Sequence, residues 1–353
     1  MTDAGESPRA LVQAAQQQLR RGERRAAAAA YDRAYGLAPD DRRIATARGR
    51  LLDELAVDEH GLHFRYIPAG TRLVGSDDGD PDERPVHPVT LPGFWLTDVP
   101  LSWADYCRIL GWSEPPQGMP PDPPEPTRSR VGPVFYLYQE NKIRLQYCED
   151  ETVQARDWHA HGGMAELFGP VVRMREDRPI AYGVKPMISV SWQEAEEVAA
   201  ALVTPGVTYR LPTEAEWEVA ARGGLVGARY AWGNEPPVFG LCDFDRFENF
   251  SIIPPRVLPP NAYGLYGMCG GVWEWTADWY DAQYYEDSPV DSPTGPPSGK
   301  QKVVRGGSWA DCPEIVTVSF RGSRESSSWR DERWGHHLTP NIGFRLCRVE
   351  AAG

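Results

Sequence analysis

The sequence is poor in several features that would assign it a class at once. No run approaches the ~20 consecutive apolar residues of a membrane-crossing helix, so no membrane association is expected. The opening, MTDAGESPRALVQ, has no charged-then-apolar leader pattern, which makes the cytoplasm the expected location. The six cysteines (Cys107, Cys148, Cys242, Cys269, Cys312 and Cys347) form no CxxC and stand at no metal-ligand spacing to the seven histidines. Buried or free thiols are the expectation, with a disulfide between two of them as the alternative. Positive charge is short as well. Against 50 Asp and Glu there are 37 Lys and Arg, and the net charge of -13 argues against a general nucleic-acid surface.

Tryptophan, glycine and proline are plentiful, at 13, 34 and 33 residues in a chain of 353. That mixture suits a loop-rich globular domain with short regular elements, and the length leaves room for two domains. The richest stretch is 261–280, NAYGLYGMCGGVWEWTADWY. Val272, Glu274 and Thr276 alternate with Trp273 and Trp275, which predicts a short strand with one aromatic face. Gly267 to Gly271 predicts a tight turn where a bulky group or an ion approaches backbone. Two further Gly/aromatic clusters come later in the chain, VVRGGSW at 303–309 and NIGFRL at 341–346.

The N-terminal part has a different character. Over residues 8–56, Leu11, Ala14, Ala15 and Leu19, and then Ala26, Ala30, Tyr31 and Ala34, recur at helical spacing. Gly22 separates two helices, and Asp41 is a candidate N-cap for a third. AAAAAYDRAYGLAPDD resembles one tetratricopeptide unit, fewer than a free-standing solenoid needs. The expectation is a helical extension over 1–58, docked on the main domain or on a partner, or else a solvated hairpin. Strand-like runs begin at Leu62. Seven prolines in 113–130 mark a linker or surface loop, and 113–184 reads as an insertion. His159 and His161 lie within it, with no third ligand beside them. SWQEAEEVAAALV, from Ser191, has one apolar helical face. Thr213 and Glu216 form a predicted capping box for a helix that stops at Gly223-Gly224.

Several phrases then match one family in order: IPAG (67–70), VSW (190–192), RLPTEAEWEVAARGG (210–224), YAWGN (230–234), NAYGLYGMCGGVWEWTADW (261–279), VVRGGSW and NIGFRL. Over about 62–348 the chain resembles the formylglycine-generating enzyme, or sulfatase-modifying factor, family. The resemblance implies an α+β, loop-rich C-type-lectin-like fold over 59–353, with the N-terminal helical hairpin added.

What the resemblance implies for chemistry is mixed. Members that make formylglycine bind copper(I) through two cysteines five apart after the GGS-aromatic phrase, and soft thiolates suit that ion. Those positions here are Asp311 and Val316, so copper is not expected. Cys312 stands one position away without a partner at the needed spacing. Trp273 and Ser308 match positions that line the family's oxygen pocket. A branch that uses a three-histidine iron site takes ligands from a helical domain; the first 60 residues here hold only His60, so iron is not expected either. For calcium, the matching ligands would be the carbonyls of Gly270 and Val272 and the Glu274 carboxylate, with Asp243 in a second site; Gly267 stands where an Asn or Asp would help.

The segment that lines the family's cleft, 309–340, carries Trp309, Arg324, Trp329, Arg330, Arg333, Trp334, His336 and His337. Trp and Arg anchor protein interfaces. The leading expectation is therefore a divergent, non-catalytic member that binds a protein or peptide there, with the N-terminal helices as a second docking surface. The alternative is a metal-dependent oxidase or oxygenase acting on a peptide cysteine or small molecule, with Cys312, Asp311, His336 and His337 as its candidate groups. A subunit of a larger bacterial assembly, held through the helices, is a third reading.

Overall fold

The computed structural model describes residues 6–121, 144, 179–246, 252–326 and 341–351. Most of the expected insertion, including His159 and His161, lies outside them. Three helices open the chain: α1 (Pro8–Arg20), α2 (Arg24–Leu37) and α3 (Arg42–Glu54). Ser7 caps α1 by accepting the Ala10 amide, and Asp41 caps α3 by accepting from Arg43 and Ile44. The third helix therefore begins at the expected cap. The helices are not a solvated hairpin. Ala15, Ala27, Ala28, Tyr31, Leu51 and Leu52 belong to the same buried cluster as Phe64, Tyr66 and Trp95 of the main domain.

The strands form three sheets among the described residues. In the five-stranded sheet, β1 (Val57–Glu59) pairs with β2 (Leu62–Ile67), which pairs with β5 (Phe94–Thr97). Next comes β11 (Cys347–Glu350), flanked on its far side by β6 (Val207–Arg210). The last strand thus lies between early strands and fastens the two ends of the domain together. A four-stranded sheet has the order β10 (Ile342–Phe344), β7 (Trp273–Trp279), β8 (Gln301–Arg305), β9 (Gly322–Glu325). The third sheet is the ribbon of β3 (Gly70–Val74) and β4 (His87–Leu91). The further α-helices among the described residues are α4 (Trp103–Leu110), α5 (Pro179–Gly183), α6 (Trp192–Ala200) and α7 (Glu214–Ala221).

The capping box is present at α7. The Thr213 hydroxyl accepts the Glu216 amide at 3.2 Å, and the Glu216 carboxylate accepts the Thr213 amide at 2.8 Å. Ser191 and Glu194 repeat the device at α6.

Strand β7 forms where the alternation predicts it, but its second face is buried too. Glu274 and Thr276 are as inaccessible as the tryptophans. An inner strand tolerates Glu274 because Arg345 grips both carboxylate oxygens, at 2.6 and 2.7 Å, and the Trp217 indole donates to one of them at 2.7 Å.

Candidate functional site

The candidate site is built where β8 ends. Gly306 and Gly307 come directly after it with φ of +94° and +68°, in the region that favours glycine. A Cβ on Gly307 would come within 2.8 Å of the Val316 side chain, so the turn is also pressed against its neighbour. This turn delivers Ser308 to a fully buried position. Its hydroxyl donates to the Asp311 carboxylate at 2.5 Å and accepts from the Asn341 amide nitrogen at 3.0 Å. The same Asp311 oxygen accepts the Ser308 backbone amide at 2.8 Å. Asn341, at the start of the last segment, accepts the Trp273 amide through its carbonyl at 2.8 Å. Trp273, Ser308, Asp311 and Asn341 are thus joined through a continuous set of hydrogen bonds.

Trp273 is buried with its ring 5.9 Å from Phe320 and 5.8 Å below the Arg324 guanidinium. Gly322 is bare because a Cβ there would meet the Trp273 ring at 2.8 Å. The Trp273 indole N–H has no hydrogen-bond partner among the described residues. The family phrases find Trp273 and Ser308 and contain Asn341 without assigning it a role; Phe320 and Gly322 emerge only from the packing.

The other expected site residues fall differently. Trp309, expected on a partner-binding surface, is instead core: it is buried with Ile188, Ile252 and Val272. The reason is local, because its amide donates to Gly271 and its carbonyl accepts from Arg246, which fixes it between two inner segments. Arg324 is exposed. Cys312 is an exposed free thiol, whereas Val316 is fully buried. Trp329, Arg330, Arg333, Trp334, His336 and His337 lie outside the described residues.

The metal ligands implied by the resemblance fit poorly. At the positions of the copper thiolates, the Asp311 carboxylate is engaged with Ser308, and Val316 offers no donor atom. The Glu274 carboxylate, implied for calcium, is taken by Arg345 and Trp217. Gly270 and Val272 sit beside it, the first bridged in parallel to Asp243 and the second packed on Trp309. Burial pushes the Asp243 carboxyl up to about 6, against the Ile253 amide and Lys185 that favour its charge, and Arg246 stands 3.0 Å from it. Among the described residues, no three His, Cys, Asp or Glu side chains come together as a metal-binding group.

Residues 57–349 match the family model of the sulfatase-modifying factor enzyme 1-like domain. The chain belongs to this family. Serine/threonine-protein kinase Pkn1 of Chlamydia trachomatis is 34% identical over 260 residues, covering 72% of this chain and 34% of that protein. The formylglycine-generating enzyme of Streptomyces coelicolor is 40% identical over 172 residues, covering 45% of this chain and 51% of the enzyme. The chain therefore spans about a third to a half of the length of these two curated relatives. The inactive C-alpha-formylglycine-generating enzyme 2 of Mus musculus is 29% identical over 311 residues, covering 79% and 83%. In three dimensions, Treponema denticola variable protein 1 matches with a TM-score of 0.55 at 19% identity, over 83% of this chain and 97% of that one. The fold of this family member is therefore the C-type-lectin-like fold of formylglycine-generating enzymes, carrying N-terminal helices.

Proposed function

We propose that this member of the family is non-catalytic and binds a protein or peptide through the 309–340 segment. The observation that carries the reading is the fate of the two thiolate positions: Asp311 is locked to Ser308, and Val316 is buried against Gly307. Neither can supply the soft ligand that copper(I) requires. The name of the mouse relative, an inactive formylglycine-generating enzyme, supports the view that such proteins exist without the activity. Among the described residues of the segment, the exposed Arg324 and the half-buried Phe320, both against the Trp273 ring, offer the cation-plus-aromatic combination that interfaces favour.

The test is metal content of the protein purified without added metal, followed by oxygen uptake with copper(I) and a cysteine-bearing sulfatase peptide. Neither bound copper nor peptide-dependent oxygen uptake is expected. Stoichiometric copper with peptide-dependent uptake would replace this reading with the oxidase one.

A further inference from the structure

A second site lies far along the chain from that segment, where the helical extension meets the domain. A cavity of about 500 Å³ opens between α2 and β3, within the size range of ligand pockets. Gly70, Thr71, Arg72 and Leu73 of β3 form one wall. Leu37 of α2 and Val226 stand at the opposite rim, 58% and 66% exposed. Leucine and valine so open to water beside a cavity are an apolar surface without cover among the described residues. Gly36 helps to shape the end of the cleft, since a Cβ there would meet the Gly224 carbonyl at 3.3 Å.

The wall formed by β3 is an open strand edge. On its one paired side, Thr71 stands opposite Thr90 of β4. Thr90 donates its amide to Val290 at 2.6 Å and accepts from Ser292 at 3.0 Å, so its backbone groups point away from β3. Successive residues of a strand point these groups to alternate sides. The ribbon is therefore bonded through Gly70 and Arg72, opposite Leu91 and Val89, and the amides and carbonyls of Thr71 and Leu73 turn to the other edge. Among the described residues, neither of these two amides, nor the Leu73 carbonyl, has a hydrogen-bond partner. The Thr71 carbonyl takes only Arg72 Nη1, at 3.0 Å. The charged groups that line the cleft are engaged in ion pairs: Arg72 with Asp32, which it shares with Arg48, Arg33 with Glu6, and Arg222 with Glu218.

We propose that this cleft binds an extended peptide segment of a partner protein by strand addition to β3. The unspent donors and acceptor of Thr71 and Leu73 are spaced for a backbone, and the five residues of β3 offer about 16 Å of edge at ~3.3 Å per residue. Aliphatic side chains at alternate positions of the segment fill the space before Leu37 and Val226. Pairing of two copies through their β3 edges is the alternative occupant that the test separates. The proposal does not depend on the 309–340 segment.

The test uses a displayed random heptapeptide library selected on the full chain. Sequences with alternating aliphatic residues are expected to be enriched, and the enriched peptide is then made synthetically with and without N-methylation at alternate amides. N-methylation removes backbone donors and leaves the side chains unchanged, and it is expected to weaken binding at least tenfold. Leu37→Asp with Val226→Asp, both at exposed positions, should weaken it similarly, and Arg324→Ala should leave it unchanged. The peptide should also slow hydrogen exchange at the Leu73 amide. The proposal is overturned by no enrichment, by equal binding of the N-methylated peptide, or by Leu73 protection that grows with protein concentration alone, which would mark a self-pairing edge.

Discussion

At the scale of single residues, the buried carboxyl of Asp278 departs from the ordinary chemistry of an aspartate. Burial, reinforced by the neighbouring Glu214, pushes it up to about 8, while its Oδ2 accepts the Glu214 amide at 2.8 Å. Folded Asp278 thus holds a proton that the unfolded chain gives up above about pH 4. A pKa raised on folding makes its contribution to stability fully present below the unfolded value and lost as pH rises through the folded one. Between about pH 4 and 8, this residue therefore makes stability fall with rising pH, by up to ~1.4 kcal/mol per unit. Asp278→Asn keeps an acceptor for the Glu214 amide and removes the titration. The variant should lose about 3–4 kcal/mol less than the wild type between pH 5 and pH 8 in urea unfolding; identical losses would refute the assignment. Glu218 and Asp32 do not blur this window. Burial alone would raise both, but Arg222 and Arg305 for the first, and Arg48 and Arg72 for the second, hold them below the ordinary carboxylate range, so they titrate under more acidic conditions.

At the scale of elements, α7 shows where sequence reading stops. Its start was legible, because a capping box is a matter of three residues' separation and local backbone. Its surroundings were not, since every one of its eight residues is buried, including three glutamates. Arg210 and Arg222, close in sequence, serve Glu216 and Glu218, but Arg321 for Glu214 and Arg305 for Glu218 come from remote elements. No periodicity announces such pairings, and an exposed helical face is what three glutamates in a helix suggest. The same holds for β7, whose strand character lay in the alternation of Trp273, Glu274 and Trp275, but whose buried Glu274 depends on Arg345. At the candidate site, the family phrases located Ser308 and Trp273. Trp309 misled because its indole type is equally suited to an interface and to a core. Glu218 tests the ionic core. It also accepts the Gly75 amide at 2.8 Å, so Glu218→Ala takes the carboxylate from Arg222 and Arg305, leaving Arg305 to backbone carbonyls and Glu214 at 3.6 Å, and strands a backbone donor in the interior. A loss of roughly 3–5 kcal/mol in unfolding free energy is expected, and a loss under about 1 kcal/mol would show that Arg305 finds other partners.

At the scale of the whole molecule, the question is whether the helices before residue 57 are a module or a part of the domain. Composition separates them from the rest of the chain, but their contacts join them to it. Arg48 of α3 is the centre of the junction. It is buried between the rings of Tyr35 and Tyr263, 4.5 and 4.4 Å from their centroids, and pairs with Asp32 at 2.7 Å. It also donates to the carbonyls of Ala262 and Gly223, on the far side of the junction. Tyr263 completes the knot by donating to Asp32 at 2.9 Å, and burial pushes its phenol up to about 12, so it stays a donor at neutral pH. Around this knot the apolar core is continuous from Ala15 to Trp95, and the Trp95 indole donates to Leu55 at 2.8 Å. A shared core with a shared polar centre unfolds as one unit. Arg48→Met removes the cation while keeping much of the side-chain bulk, and leaves Asp32 to Arg72 alone. Calorimetry should then show a single transition, as for the wild type, displaced to lower temperature by several degrees. Two separated transitions, with the first matching release of the N-terminal helices to protease, would mean that the extension folds on its own and only rests on the domain. That outcome would also remove one wall of the cleft beside β3 without unfolding the rest.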